Sequence, residues 1–142
     1  MSKLGKISNH FTWKEALYLP QYGRLAEDSD GLNMEIRSNL CDLFNKMDAV
    51  RDFFNKPISV HVAYRSPEYN KLVKGASKSC HLEGKAVDFH VVGLSCDEAK
   101  KLILDNNKLE EWSMRMENNG QGTTWIHLDL RSPGPGGRFF KP

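Results

Sequence analysis

The sequence has 142 residues, of which 39% are hydrophobic and 27% are charged. This size and balance predict one globular domain over residues 1–142 and exclude an intrinsically disordered chain. The net charge of +2 argues against a dedicated nucleic-acid binder, and no apolar stretch has the roughly 20 residues of a membrane-spanning helix. Residues 1–10 contain lysines without a following apolar run. We therefore expect no ordinary signal peptide and predict synthesis as a soluble cytoplasmic chain.

The predicted elements begin with two helices. Thr12 and Glu15 have the spacing of a capping box, which predicts a short helix over residues 12–18. Apolar residues recur at helical spacing over residues 33–54, which predicts the main amphipathic helix. The remaining predicted elements follow in this order: a strand at 58–64, a helix at 67–73, a strand at 86–92, a helix after Ser95, and strands at 112–116 and 125–130. The Pro/Gly-rich tail from Ser132 is predicted to be irregular. This order predicts an α+β fold in which helices pack on a small antiparallel sheet.

The most informative segment for chemistry is residues 79–88, in which Asp88 follows His81 by seven positions. Gly84 lies between them, and a glycine there permits a tight turn that folds His81 back towards the strand carrying Asp88. Imidazole and carboxylate groups are both good zinc ligands. His127, in the middle of the last predicted strand, is the natural third ligand. Two histidines and one carboxylate, with a fourth position left open, are typical of a catalytic zinc site rather than a structural one.

This segment resembles the motif of the zinc D-Ala-D-Ala carboxypeptidase family of murein peptidases, which is related in fold to the hedgehog signalling domain. That motif is Ser-x-His-x-x-Gly-x-Ala-x-Asp, followed later by an apolar-rich strand that carries the last histidine. The positions that match it here are Ser79, His81, Gly84, Ala86, Asp88 and His127. Tyr64-Arg65-Ser66 and Tyr69-Asn70 also resemble the family. The similarity is good over residues 58–131, the predicted motif-bearing core.

The resemblance implies a role for each matched residue. The residues that it assigns to the zinc ion are His81, Asp88 and His127. It implies that Arg65 faces the substrate or the reaction intermediate, where it would stabilise the developing oxyanion. Ser79 would either contact the substrate or cap a turn. The family's usual acid, three residues before the last ligand, is replaced here by Thr124, which cannot accept a proton from water.

Two carboxylates are therefore candidates for the general base. Asp129 is the preferred candidate, because residues two apart in a strand share a face and this places it beside His127. Asp129 could instead pair with Arg131, or it could orient a ligand histidine as an outer hydrogen-bond acceptor. The alternative base is Glu117, which immediately precedes the turn predicted at residues 118–122.

The function that the resemblance implies is zinc-dependent hydrolysis of a peptide bond in peptidoglycan. Both D-Ala-D-Ala carboxypeptidase and L-Ala-D-Glu endopeptidase action fit. We expect a monomer whose partner is a peptidoglycan peptide, with neither nucleic acid nor membrane as a ligand. Without a signal peptide it would reach the wall after release or by another export route, as a bacteriophage endolysin does. The alternative is a non-catalytic, hedgehog-like binding module that contains zinc, which the loss of the acid at Thr124 favours.

Overall fold

The computed structural model describes residues 5–141. These residues form helices and two sheets, which confirms the predicted α+β class. The helices are Trp13–Leu17 (α1), Met34–Phe54 (α2), Pro67–Leu72 (α3), Cys96–Asp105 (α4) and Lys108–Trp112 (α5), with 3-10 helices at Asp28–Asp30 and Cys80–Glu83. The strands are Tyr18–Leu19 (β1), Arg24–Leu25 (β2), Ile58–Val62 (β3), Ala86–Val91 (β4), Arg115–Glu117 (β5), Ile126–Asp129 (β6) and Phe139–Phe140 (β7). The predicted domain range of 1–142 includes residues 1–4 and 142, which lie outside the described residues.

The main sheet has five strands in the order β3-β4-β6-β5-β7, and β1 and β2 form a separate hairpin. The pairs β3–β4, β4–β6 and β6–β5 are antiparallel, as predicted, whereas β5 and β7 are parallel. The central strands β4 and β6 place Asp88 directly opposite His127. Two residues further along β6, Asp129 lies between Ala86 on β4 and Arg115 on β5.

The hydrophobic core lies against one face of this sheet and contains the long helix α2. Asn33 caps the start of α2 through a hydrogen bond from the Ile36 backbone, and Asn55 ends it in the left-handed conformation. The buried residues of α2 recur at helical spacing: Leu40, Leu43, Phe44, Met47, Val50 and Phe54. They belong to the same core cluster as Phe89 and Ile126 of the central strands. Because side chains alternate across a strand, Asp88 and His127 project from the opposite face.

Two predictions about secondary structure were wrong. Trp112 ends helix α5 instead of beginning a strand, because Ser113 adopts a left-handed conformation and only Arg115–Glu117 is extended. The tail after Ser132 is not wholly irregular, since β7 pairs with β5. None of the helices in residues 5–141 has the length and apolar character that crossing a membrane requires.

Candidate metal centre

His81 is held by hydrogen bonds on both sides of its short 3-10 helix. The Ser79 hydroxyl accepts a hydrogen bond from the His81 backbone N–H (3.2 Å), and Arg65 N–H donates to the His81 carbonyl (3.0 Å). The ring Nδ1 lies 2.6 Å from the Ala63 carbonyl oxygen and donates to it, since a carbonyl only accepts. The proton of a neutral His81 ring is therefore on Nδ1, and Nε2 presents a lone pair to Asp88.

Three ligand-type side chains converge beside the central strands. Asp88 Oδ1 lies 3.2 Å from His81 Nε2 and 3.0 Å from His127 Nδ1. One ligand atom from each of the three residues lies within 4.8 Å of the other two. The three residues are at most 9% exposed. The structure therefore brings together the three residues that the sequence predicted as metal ligands.

The other nitrogen of His127 is held by an ion pair behind it. His127 Nε2 lies 2.9 Å from Asp129 Oδ2 and donates to it. Asp129 is fully buried and also accepts from Arg115 Nε (2.8 Å) and Nη2 (2.9 Å) and from the Arg131 backbone (3.1 Å). The Arg115 guanidinium in turn stacks 3.7 Å from the Phe140 ring centre. Strand β7 thus supports the ion pair that orients His127.

The outer hydrogen bonds of His81 and His127 leave a set of donor atoms that fits a metal ion. The ring protons of His81 and His127 are directed outward, to Ala63 and Asp129. When both rings are neutral, the three inward atoms are lone-pair donors, and a cation among them would offset their mutual repulsion. Two imidazole nitrogens and one carboxylate oxygen, each with an outer hydrogen-bond partner, are a donor set that suits zinc.

The pKa shifts of His127 and Asp88 indicate that this site stabilises positive charge. Burial lowers the pKa of His127, but hydrogen bonds to Asp129 and Asp88 outweigh burial and raise it to about 9. Burial raises the pKa of Asp88, but the adjacent charge on His81 and the hydrogen bond from His127 outweigh it and hold the pKa well below its usual range. Burial also raises the pKa of the Cys80 thiol to about 11, so this neighbour of His81 is not a thiolate nucleophile at neutral pH.

Asp129 lies where the sequence predicted, on the same face as His127, but its surroundings do not suit a base. Four hydrogen bonds occupy its two oxygens. Burial raises its pKa, yet the hydrogen bonds from His127 and Arg115 outweigh burial and lower it. The geometry therefore favours the outer-acceptor role that the sequence left open for Asp129. Its charged partner is the Arg115 guanidinium, whereas Arg131 contributes only its backbone N–H.

Glu117 lies on the open side of the centre. Continuing the β5–β6 register beyond the pair Met116–Leu128 places Glu117 opposite His127. Both residues line a cleft of about 360 Å³, together with Ser79, Arg115 and other residues. Among residues 5–141, no side chain or backbone group forms a hydrogen bond or ion pair with the Glu117 carboxylate. It is therefore a free proton acceptor at the edge of the candidate centre.

The other positions singled out in the sequence lie around this cleft. Arg65 Nη2 lies 3.3 Å from Asp88 Oδ2, so Arg65 reaches the metal-binding group from the side of β3. Ser79 caps the 3-10 helix and also lines the cleft. Thr124 is exposed and lines a neighbouring cavity of about 420 Å³ together with His90. The structure places no carboxylate at the position of Thr124.

The sequence did not predict the roles of Arg115 and Phe140. Arg115 and Glu117 are two apart and share a face of β5, and that alternation was the available signal. It was missed because the predicted strand began at Trp112. Phe140 gave no signal, because it lies in a tail whose Pro/Gly content indicated irregular structure.

Gly84 is required by the turn between His81 and Asp88, and its replacement should destabilise the fold. Its φ is +72°, and a Cβ there would lie 2.9 Å from the Ile36 carbonyl oxygen. We expect Gly84→Ala to lower the free energy of unfolding by about 2–4 kcal/mol, combining left-handed strain with a backbone clash. The matched control is Gly23→Ala, which has φ +66° and no atom within 4 Å of the added Cβ. Urea denaturation should show a loss of only about 1 kcal/mol there; equal losses would contradict the clash.

Comparison with known protein families gives one match. Residues 19–129 match the model of a family described as Peptidase M15. The match covers more than half of the chain and includes the three converging residues, Arg65 and Glu117. A search of curated proteins found none that matches the chain.

Proposed function

The chain belongs to the peptidase M15 family, and from this premise we propose that it is a zinc-dependent peptidase that hydrolyses a peptide bond in peptidoglycan. The observation that carries the proposal is the convergence of two imidazole nitrogens and one carboxylate oxygen, with the outer nitrogen of each ring held by a hydrogen-bond acceptor. A metal ion held at the edge of an open cleft is the arrangement that metal-assisted hydrolysis needs. Action on the cell wall as a phage-type lysis enzyme is part of the same proposal.

His81, Asp88 and His127 would hold the ion. When bound, zinc supplies Lewis-acid activation of the scissile carbonyl and of the attacking water. Asp129, held by Arg115, accepts the hydrogen bond from His127 Nε2, so a neutral His127 ring presents the lone pair of Nδ1 to the ion.

We assign the general base to Glu117 rather than Asp129. Glu117 has no competing partner among the described residues and faces the cleft beside His127. Its carboxylate would accept a proton from the attacking water and then deliver it to the leaving amine. It would thereby replace the acid that the family usually carries at the position of Thr124.

Arg65 is the cation placed to meet the negative charge of the substrate. Its guanidinium contacts Asp88 from the side, so it can orient a substrate carboxylate or stabilise the oxyanion. We expect Arg65→Ala to reduce kcat/KM by about 10²–10³-fold while one zinc per chain is retained, the usual cost of one oxyanion donor. Metal analysis and kinetics on the same preparation test this. Loss of zinc in the variant would instead identify Arg65 as a support of Asp88.

The proposed function is tested by incubating purified peptidoglycan with the zinc-loaded chain and identifying the products by mass. Release of D-Ala would indicate carboxypeptidase action, and cleavage between L-Ala and D-Glu would indicate endopeptidase action. A chelator should stop the reaction, and added zinc should restore it. Binding to peptidoglycan without any product would favour the alternative, a non-catalytic zinc-containing module.

A further inference from the structure

We propose that Asn70 and Gly75 form a latch that holds the Arg65 guanidinium against the metal-binding group, which makes Asn70 a positioning residue. The proposal rests on the proposed function for the catalytic use of Arg65. The latch itself is a statement about the position of the Arg65 side chain, and it can be tested without hydrolysis.

The two terminal nitrogens of the Arg65 guanidinium form hydrogen bonds, whereas its Nε does not. Nη1 donates to Asn70 Oδ1 and Nη2 donates to Asp88 Oδ2, both at 3.3 Å. Its Nε is buried and has no hydrogen-bond partner among residues 5–141. A buried donor without a partner costs free energy. The guanidinium therefore needs an anchor to remain there, and Asp88 alone would hold only one of its nitrogens.

Asn70 is suited to be that anchor because its own amide cannot turn. It is 4% exposed on helix α3. Its Nδ2 donates to the Ala76 carbonyl at 2.9 Å, which fixes Oδ1 as the atom that faces Arg65. The Asn70 carbonyl also accepts from the Gly75 N–H at 2.8 Å. One amide thus joins Arg65 to the segment that leads into Ser79 and His81.

Gly75 supplies the space that the latch occupies. A Cβ at this position would lie 2.0 Å from Asn70 Oδ1 and 2.9 Å from Arg65 Nη1. The φ of Gly75 is not in the left-handed region, so alanine is compatible with the backbone there. The glycine is therefore required by the Arg65–Asn70 contact and not by the turn. Gly75→Ala therefore displaces the latch without left-handed strain in the backbone of residue 75.

The direct test follows the Arg65 Nε–H proton by NMR, in the metal-free and zinc-loaded chain. Arg65→Lys, which lacks this proton, assigns the resonance. Because the group is buried, we expect slow exchange with solvent in the native chain and exchange at least about tenfold faster in Asn70→Ala and Gly75→Ala. Gly136→Ala, which adds a Cβ with no atom within 4 Å, should leave it unchanged. Unchanged exchange in both Asn70→Ala and Gly75→Ala would overturn the latch.

Kinetics then test whether the latch acts through Arg65. Asn70→Ala should lower kcat/KM by about 10–100-fold at unchanged zinc content, as expected for a reacting group misplaced by about 1 Å. Added to Arg65→Ala, it should cause no further loss, because its effect is exerted through Arg65. Asn70→Asp, which keeps an acceptor for Nη1 but loses the donor to the Ala76 carbonyl, should restore only part of the activity and of the slow exchange. Multiplying losses in the double variant would overturn the positioning role. If the native zinc form cleaves no peptidoglycan, the proposed function fails, while the exchange comparison still decides the latch.

Discussion

Replacing His127 with alanine should remove metal binding and hydrolysis together. His127 provides one of three ligand atoms, and the two that remain, on His81 and Asp88, do not make a catalytic zinc site. Even the outer partners of zinc ligands contribute about 10–100-fold in affinity, so we expect the loss of a ligand to exceed about 100-fold. Titration with zinc and product formation from peptidoglycan measure the two effects. His10→Ala, at an exposed hydrogen bond with Asp52, is the matched control and should change neither.

The same centre predicts how zinc affinity depends on pH. In the metal-free chain burial lowers the pKa of His127, but hydrogen bonds to Asp129 and Asp88 raise it to about 9. Below that pH the ion must displace the His127 proton, so zinc affinity should rise by about tenfold per unit between about pH 6 and 8 and level off near pH 9. A pH-independent affinity in the native chain would contradict the assignment of His127 as a ligand.

Glu117→Gln should leave zinc bound and lower kcat by about 10²–10⁴-fold, the usual contribution of a positioned proton acceptor. The amide keeps the size of the side chain but cannot take a proton. The carboxylate has no partner among the described residues, so its loss breaks no hydrogen bond, and we expect the fold and metal site to persist. Metal content, thermal unfolding and turnover measured on one preparation separate these effects.

Asp129→Asn gives the contrasting result that identifies the base. Its oxygens are engaged with His127 and Arg115, so the change should weaken zinc binding by about 10–100-fold. At saturating zinc most of the turnover should return. If Asp129→Asn stays inactive with zinc bound and Glu117→Gln stays active, the two assignments must be exchanged.

Two of the three metal-binding residues, His81 and Asp88, were predictable because local sequence determines their geometry, whereas His127 was found by its place in the last predicted strand. His81, Gly84 and Asp88 lie within one turn and the strand after it, so their spacing alone brings imidazole to carboxylate. The capping patterns of Thr12 and Ser95 were equally local, and both helices begin where predicted. Periodicity likewise located α2 to within one residue of its observed start.

The residues that hold His127 in place, and the proposed base, were less predictable because their positions depend on pairing between distant strands. Arg115 meets Asp129 only through the β5–β6 register, which no local pattern specifies. Strand β7 was not predicted because two residues are too few to show an alternation of apolar and polar side chains. Its pairing partner β5 also lies more than 20 residues earlier in the chain. Asp129 was assigned to the correct face, but the sequence could not show that Arg115 occupies its oxygens.

The row formed by Asp88, His127 and Glu117 runs across three neighbouring strands, β4, β6 and β5. Strand spacing of about 4.8 Å is set by main-chain hydrogen bonds and is the same for any sequence that keeps the sheet. The sheet therefore fixes the spacing between the proposed ligands Asp88 and His127 and the proposed base Glu117. Substitutions elsewhere on these strands can accumulate over evolutionary time without altering the distances among the three. Under the proposed assignment, the base lies on a neighbouring strand instead of in the segment before the last ligand, and the positions of the metal-binding residues stay unchanged.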